Sequence, residues 1–351
     1  MASPDITSIE VLRSQLAKAI QLEHATIPPY LTALYSIRPG ANTDATQILR
    51  VIVVEEMLHL TISANLLNAI GGKPDLTVKG FVPSYPATLP DGETDFTVGV
   101  GPLSPETLKA FLKIERPAMA PAGKSRHVVR KSDDHSTHLC TLPEDATLRY
   151  YSIGEFYAAI RDAIVYLDQQ AKAKGETIFT GDPKRQVTSE YYYSGGGKLW
   201  PIVDPASAAK AIDLVIQQGE GKTQAIFGDS GEIAHYYRFL QLDKNRYYQQ
   251  GDSPENPTGP ALTTDWSAVW PIATNLKLAA LPAGSELYDA AVAFNSAYRQ
   301  FLALLTRAYN GEPQVLLDAV PRMFEFRNLI QQLICNPLPG GNGNAAPTYE
   351  I

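Results

Sequence analysis

The stretch VVEEMLHL at residues 53–60 places two glutamates and a histidine inside an otherwise apolar helical pattern. Residues three apart lie on one face of a helix about one turn apart, so Glu56 and His59 can hold one metal ion between them. Glu55 could instead pair with His59 at i,i+4, but i,i+3 is the ligand spacing of helical-bundle metal sites. The polar pair interrupts the predicted core-facing stripe, which consists of Ile52, Glu56, His59, Ser63, Leu66 and Ile70.

The same E-x-x-H pattern returns far downstream as Glu232 and His235. A single occurrence is commonly a solvent-facing i,i+3 pair. Two occurrences, together with single glutamates from two further helices, form the di-iron or di-manganese site of ferritin-like bundles. Since buried charges need partners, and a metal ion is a good one, the two patterns predict a metal-binding helical bundle.

Composition describes a folded globular protein with a large core. The chain has 351 residues, 44% hydrophobic and 19% charged, with a net charge of −7. The negative charge argues against nucleic acid or an anionic membrane as the main partner. We find neither a run of eighteen apolar residues nor a leader pattern, which predicts a cytoplasmic protein. Cys140 and Cys335 are too few and too far apart for a disulfide framework or zinc knuckle, and are predicted to be reduced packing residues.

The first predicted helix starts after Thr7 or Ser8 and carries Glu23 in its core-facing stripe, where an unpaired carboxylate is costly. Pro28-Pro29 should kink this helix one turn later. His24 lies one residue off the stripe and is predicted to be a surface group or a support for a ligand. The second helix covers about 43–70 and ends at a Gly-Gly-Lys-Pro signal.

We predict a mainly α fold: a ferritin-like four-helix bundle with long insertions, short strands and loops between the second and third bundle helices, and additional C-terminal helices. Residues 1–250 would form the bundle, with an inserted segment at 75–150. Residues 251–283 would be a linker, and 284–351 would form helices and a tail that pack on the bundle. The charged stretch 118–148, with His135 and His138, is predicted to be an exposed loop.

Three further glutamates are site candidates of different kinds. Glu115 lies on the apolar face at a helix end, which suits either an auxiliary metal or substrate group or a buried salt bridge with an arginine. Periodicity makes Glu155 a first-turn carboxylate favoured by the helix dipole. Glu220 falls in an interruption, after which a helix is predicted to resume near Gly231. Tyr30 and the pair Tyr236-Tyr237 are pocket candidates, although packing is the commoner use of tyrosine.

Beyond these patterns, the chain resembles the ferritin-like domain of the iminophenyl-pyruvate dimer synthase family, which is related to parts of the violacein and chromopyrrolic-acid pathway enzymes. The resemblance spans most of residues 8–245. It rests on seven stretches in order: LEHATIPPYLTALYSI (22–37), VEEMLHLTISANLLNAIGGKP (54–74), SYPATLP (84–90), IERP (114–117), SIGEFYAAI (152–160), VIQQGEG (215–221) and EIAHYYRF (232–239).

The resemblance implies two or more non-haem iron ions, with manganese as an alternative metal. Its implied ligands are Glu23, Glu56, His59, Glu155, Glu232 and His235, and it makes Glu115 and Glu220 further ligands or acid/base groups. It also implies the oxidative joining of two aryl-imino acids in natural-product metabolism. The expected partners are a small, aromatic substrate and dioxygen or peroxide; assembly into a homo-oligomer is left open.

Two other functions compete with this oxidase or oxygenase. One is non-enzymatic iron binding or storage, although storage ferritins present a bare bundle surface and this chain carries long insertions. The other is catalase-like detoxification of peroxide. Metal analysis and oxygen exposure with candidate imines would separate the three.

Overall fold

A computed structural model describes residues 4–89, 96–117, 150–192, 195–221, 225–228, 231–341 and 343–351. Over these ranges the chain forms eight α-helices, four short 3₁₀ turns and isolated β-bridges, but no β-strand. The mainly helical fold is therefore as predicted. The helices are α1 (Ile9–Ser36), α2 (Thr43–Ala69), α3 (Pro105–Ile114), α4 (Ile153–Lys172), α5 (Pro205–Gly219), α6 (His235–Lys244), α7 (Glu286–Ala308) and α8 (Leu316–Ile334).

The bundle consists of α1, α2, α4 and α5. Helix α1 packs on α2 and α4, and α5 packs on α4 and α2, which closes a four-helix layout around one apolar core. Ser8 begins α1 by accepting a hydrogen bond from the Val11 N–H, and Asp204 begins α5 with a capping box. The Ser8 cap lies where the sequence predicted the first helix to start.

Helix α1 continues through Pro28 and Pro29. A proline has no N–H to donate to the carbonyl four residues earlier, so Pro29 leaves the Ala25 carbonyl without its helical partner. The Tyr85 hydroxyl donates a 2.8 Å hydrogen bond to that carbonyl. The inserted segment thus satisfies a backbone group that the proline leaves open.

Helix α2 is the most apolar of the long helices. By length and composition it could cross a membrane, but 83% of its most apolar window is buried inside the structure. Its central place in the bundle accounts for this composition. The helix ends before Gly71, whose φ of +76° is readily adopted by glycine.

The predicted short strands do not form in the described part of the insertion. Ala87 and Val98 make one isolated antiparallel bridge. Further along, the Val100 N–H donates to the Asn275 side chain, and the Asn275 N–H donates to the Val100 carbonyl. Because Asn275 takes these backbone hydrogen bonds, the alternating residues near Val98 do not extend into a ladder. Residues 118–149, with the predicted exposed loop, its histidines and Cys140, lie outside the described ranges.

The predicted helical start near Gly231 is wrong. The Gly228 N–H bonds to the Glu232 carbonyl, and Phe227 forms a bridge with Ile233, so these described residues pair with each other as the two sides of a turn and are not helical. Helix α6 begins only at His235. The second E-x-x-H pair is therefore not a pair on one helical face.

The C-terminal helices α7 and α8 pack together, and α8 also contacts α1. The predicted linker at 251–283 is irregular but attached: Val269 bridges Ile37 at the end of α1, and Ile272 bridges Asn344 in the tail. The tail lies across the body, with residues 345–349 buried. Cys335, predicted to be a packing residue, is exposed.

Candidate metal centre

Six ionisable side chains meet in the interior of the bundle, all at most 4% exposed. Helix α1 supplies one, α2 supplies three, the end of α3 supplies one and the first residue of α6 supplies one. In chain order they are Glu23, Glu55, Glu56, His59, Glu115 and His235. Four carboxylates and two imidazoles in an apolar core would be costly without compensating positive charge.

Three of the carboxylates are oriented in the same manner, with one oxygen held by a hydroxyl group. Tyr157 donates to Glu23 Oε1 at 2.5 Å, Thr26 to Glu56 Oε2 at 2.7 Å and Tyr30 to Glu115 Oε1 at 2.6 Å. The Tyr157 hydroxyl is itself 2.6 Å from Ser63 Oγ. In each glutamate the other oxygen is left facing a histidine.

These inward oxygens surround the two histidine Nδ1 atoms. His59 Nδ1 lies 3.6 Å from Glu23 Oε2 and 3.7 Å from Glu56 Oε1. His235 Nδ1 lies 2.9 Å from the same Glu56 oxygen and 3.5 Å from Glu115 Oε2. Glu56 is therefore shared between the two histidines, whose ring centroids are 5.4 Å apart.

The hydrogen bond that each histidine makes through Nε2, on the side of the ring away from the cluster, determines the tautomer of the neutral ring. His59 Nε2 is 3.0 Å from Gln218 Oε1, and the Gln218 amide nitrogen donates to the Gly196 carbonyl, which fixes the amide orientation. His235 Nε2 is 2.8 Å from Glu55 Oε2. Both Nε2 atoms must therefore carry hydrogen, and in the neutral rings both Nδ1 lone pairs point at carboxylate oxygens.

A lone pair that faces a carboxylate oxygen needs a proton or a cation between them. His235 Nδ1 is buried and makes no hydrogen bond of normal geometry, although Glu56 Oε1 is only 2.9 Å away. Glu56, His59 and His235 each offer a ligand atom within 4.8 Å of the others. Neutral imidazole nitrogens and carboxylate oxygens are the donor set of non-haem iron and related divalent metals, so these residues fit such an ion.

The pKa shifts reflect this crowding of negative charge. Burial and the adjacent Glu115 carboxylate raise the pKa of Glu56 to about 7. Burial alone would lower the pKa of His235, but Glu115, Glu55 and Glu56 outweigh it and raise that pKa well above its usual value. For His59, the Glu23 and Glu56 carboxylates likewise outweigh burial and raise the pKa. Without a metal ion, protons take up part of the negative charge.

Two of the predicted ligands lie elsewhere. Glu155 is half-buried in the first turn of α4, where its carboxylate accepts a hydrogen bond from the Tyr151 N–H, as the periodicity predicted. Glu232 is exposed in the turn before α6. The structure thus brings Glu23, Glu56, His59 and His235 together but directs the other two predicted ligands away from the cluster.

Glu220 and His24 are both buried. Glu220 accepts a 2.5 Å hydrogen bond from the Gly154 N–H at the start of α4. A Cβ on Gly154 would lie 2.4 Å from Glu220 Oε2, so a larger residue there would displace the carboxylate from this hydrogen bond. His24 is not a surface group, because its Nε2 lies 2.9 Å from the Tyr298 hydroxyl of α7.

Sequence reasoning considered Glu55 only as an alternative partner of His59, and it missed Gln218 as a support of that histidine. One signal was the glycine run at 195–197, which packs against α2. A Cβ on Gly196 would lie 2.5 Å from Glu55 Cγ, and its φ is +72°. The glycine loop therefore contacts both side chains that orient the histidines: it packs against Glu55, and the Gly196 carbonyl accepts a hydrogen bond from Gln218.

A buried cluster of carboxylates and histidines that fits a metal ion, inside a four-helix bundle, is typical of ferritin-like proteins. A family model described as Ferritin-like matches residues 16–244, and the chain belongs to that family. A ferritin-like protein from Caulobacter vibrioides has a similar crystal structure, with a TM-score of 0.64 and 22% identity over 99% of this chain and 100% of that one.

Two curated relatives are more informative about chemistry. The chain is 24% identical over 327 residues to dichlorochromopyrrolate synthase of Lentzea aerocolonigenes, covering 85% of this chain and 29% of the relative. It is 27% identical over 293 residues to 2-imino-3-(indol-3-yl)propanoate dimerase of Chromobacterium violaceum, covering 73% of this chain and 25% of the relative. The chain therefore matches between a quarter and a third of the length of these relatives, both in the pathway group suggested by the sequence stretches.

Proposed function

We propose that this protein is a non-haem iron-dependent oxidoreductase that acts on a small aromatic metabolite. The observation that carries the proposal is the pair of histidine Nδ1 atoms that face three carboxylate oxygens in the buried core. A redox-active metal ion supplies oxidising equivalents that no amino-acid side chain carries. Manganese would satisfy the same donor set.

The proposed ligands form two groups, one around each histidine. Glu23 and Glu56 lie near His59, and Glu56 and Glu115 lie near His235. Glu56 would serve both sides because its Oε1 is the nearest carboxylate oxygen to His235 Nδ1 and also lies near His59 Nδ1. With Glu55 added, the buried cluster holds four carboxylates, whose charge two divalent ions would balance. Gln218 and Glu55 would hold the histidine rings in place by binding Nε2.

Glu115 and Tyr30 form the proposed proton-transfer pair. The Tyr30 hydroxyl donates to Glu115 at 2.6 Å, and both groups are buried beside His235. Burial and the Glu115 charge raise the pKa of Tyr30 well above its usual value, so the tyrosine keeps its proton. Glu115 is thus the group of the pair that would accept a proton released by the substrate.

The proposed reaction is oxidative coupling of aryl-imino acids, and the names of the two relatives support this substrate class. Joining two such molecules through a new carbon–carbon bond removes two protons and two electrons. Dioxygen, reduced to hydrogen peroxide, or peroxide, reduced to water, would take up both electrons and both protons, and the buried carboxylates would relay the protons. This chain covers less than a third of either relative, and the reaction proposed for it is the coupling step alone.

The test is a coupling assay with defined metal content. The protein is depleted of metal, reloaded anaerobically with ferrous iron and given imino acids produced in situ from tryptophan or phenylalanine by an amino-acid oxidase. Mass spectrometry should show a product of twice the monomer mass less two hydrogens, in iron-loaded wild type and not in Glu56→Gln. Equal product from the metal-free protein would contradict the proposal.

The two competing functions give different results in the same preparation. Rapid oxygen release from peroxide, without any imino acid, would favour the catalase-like reaction. Iron uptake well beyond two ions per chain, without turnover of either substrate, would favour storage.

A further inference from the structure

A small cavity lies beside the metal centre, between α5 and the turn that precedes α6. Its volume is about 40 Å³, and the residues that matter in its lining are Glu55, Leu214, Gln217, Gln218, Glu232 and Ile233. A water molecule needs roughly 10–15 Å³ by this kind of measure. The cavity therefore has room for a few water-sized species. Pockets that bind small organic ligands have volumes of roughly 300 Å³ or more, so this cavity is too small for an aromatic metabolite.

The cavity joins solvent to the groups that orient the two histidines. Glu232 is exposed, whereas Glu55 and Gln218 are buried at 4% and 6% exposure. The Glu55 carboxylate is bonded to the His235 ring, and the Gln218 amide to the His59 ring. A species that enters past Glu232 thus reaches Glu55 and Gln218, which hold the two histidine rings from their Nε2 side.

The polar lining of the cavity suits a cation. The side chains of Glu55, Gln217, Gln218 and Glu232 line it, and carboxylate and amide oxygens can replace the hydration shell of a divalent ion in steps. Glu232 stands at the exposed end and Glu55 at the buried end, and the exposed carboxylate attracts cations to the mouth of the cavity. An uncharged aromatic molecule would gain little from these groups.

We propose that this cavity is the route by which divalent metal ions reach the centre, and that Glu232 captures the ion at the mouth. This inference rests on the proposed metal centre. It assigns the acidic residue of the second E-x-x-H pattern to metal uptake, because the turn before α6 keeps that residue outside the buried cluster. Only His235 of that pair faces the other ligands.

The test measures the rate of metal uptake separately from the amount bound. Metal-free protein is mixed anaerobically with cobalt(II), and the visible absorption of protein-bound cobalt is followed in a stopped-flow instrument at low and at moderate salt. Glu232→Gln should slow uptake about three- to tenfold at low salt, weaken the salt dependence and leave the final amount unchanged. Glu232→Lys should be slower still, while Glu176→Gln, which changes an exposed glutamate just beyond the end of α4, should match wild type.

The possible failures are distinguishable. If wild type binds no cobalt, the metal centre itself is wrong. If wild type binds cobalt and Glu232→Gln takes it up at the same rate to the same amount, the uptake route is overturned. If Glu232→Gln binds less cobalt at saturation with an unchanged rate, Glu232 is a ligand, which also overturns the inference.

Discussion

Replacing Glu56 by Gln should stabilise the metal-free protein at alkaline pH while removing its capacity to be stabilised by metal. Burial and Glu115 raise the pKa of Glu56 from 4.5 to about 7 in the folded chain. Because the folded pKa is the higher one, the folded state binds more protons than the unfolded state between these two values. Stability is therefore lost as pH rises through that window, and the loss is nearly complete at pH 8.

The size of this loss in the free energy of unfolding follows from the shift in the pKa of Glu56. Moving the pKa from 4.5 to about 7 corresponds to roughly 3 kcal/mol at pH 8. The Gln side chain carries no charge, and its oxygen can still accept the hydrogen bond from Thr26. For a chain of 351 residues, a gain of roughly 3 kcal/mol raises Tm by about 4 °C.

The assay is thermal unfolding of chelator-treated wild type and Glu56→Gln between pH 5 and 8, each with and without a divalent metal. The variant should gain almost nothing at pH 5 and about 4 °C at pH 8, and metal should raise the Tm of wild type alone. Glu176→Gln, an exposed position, serves as the control and should show no such pH-dependent gain. A metal-free variant less stable than wild type at pH 8, or a gain independent of pH, would refute the reasoning.

Three other substitutions test single buried contacts. Gln218→Leu removes the acceptor of the His59 Nε2 hydrogen and should weaken metal binding about 10- to 100-fold by titration, whereas unchanged affinity would exclude a supporting role. Gly154→Ala should destabilise the protein by about 1–3 kcal/mol because its Cβ would meet the Glu220 carboxylate at 2.4 Å; denaturant unfolding measures this, and Glu220→Ala in the same chain should recover part of the loss. Tyr30→Phe should lower coupling activity at least tenfold with full metal content by elemental analysis, and an active variant would remove the tyrosine from the reaction.

The parts of the fold that could be predicted are those determined by local chemistry. The helical hairpin of α1 and α2 follows from apolar periodicity, a serine cap and a glycine stop, and the structure has it at the predicted residues. Glu23, Glu56 and His59 could be placed in the core because each interrupts an apolar stripe. Burial of a charged residue at a stripe position is a strong constraint, and all three are buried.

The parts that could not be predicted depend on contacts between distant segments. The sequence GDSGEI at 228–233 is rich in turn-forming residues. The Gly228 N–H bonds to the Glu232 carbonyl, which leaves Glu232 outside the predicted helix. Glu55 enters the cluster because α6 brings His235 to it across 180 residues of chain. The spacing of residues on a single helix carries no information about a partner from another helix. For this reason Glu56 could be predicted as a site residue from its spacing to His59, whereas the bond between Glu55 and His235 could not be predicted.

The central claim is that the buried carboxylates and histidines bind divalent metal, and the most direct test is the metal-to-protein ratio of natively purified protein. Elemental analysis should give at least one iron or manganese ion per wild-type chain and at least one ion fewer per chain in Glu56→Ala and in His235→Ala. Full metal content in both variants, with the fold intact by circular dichroism, would contradict the assignment of this cluster as the metal centre.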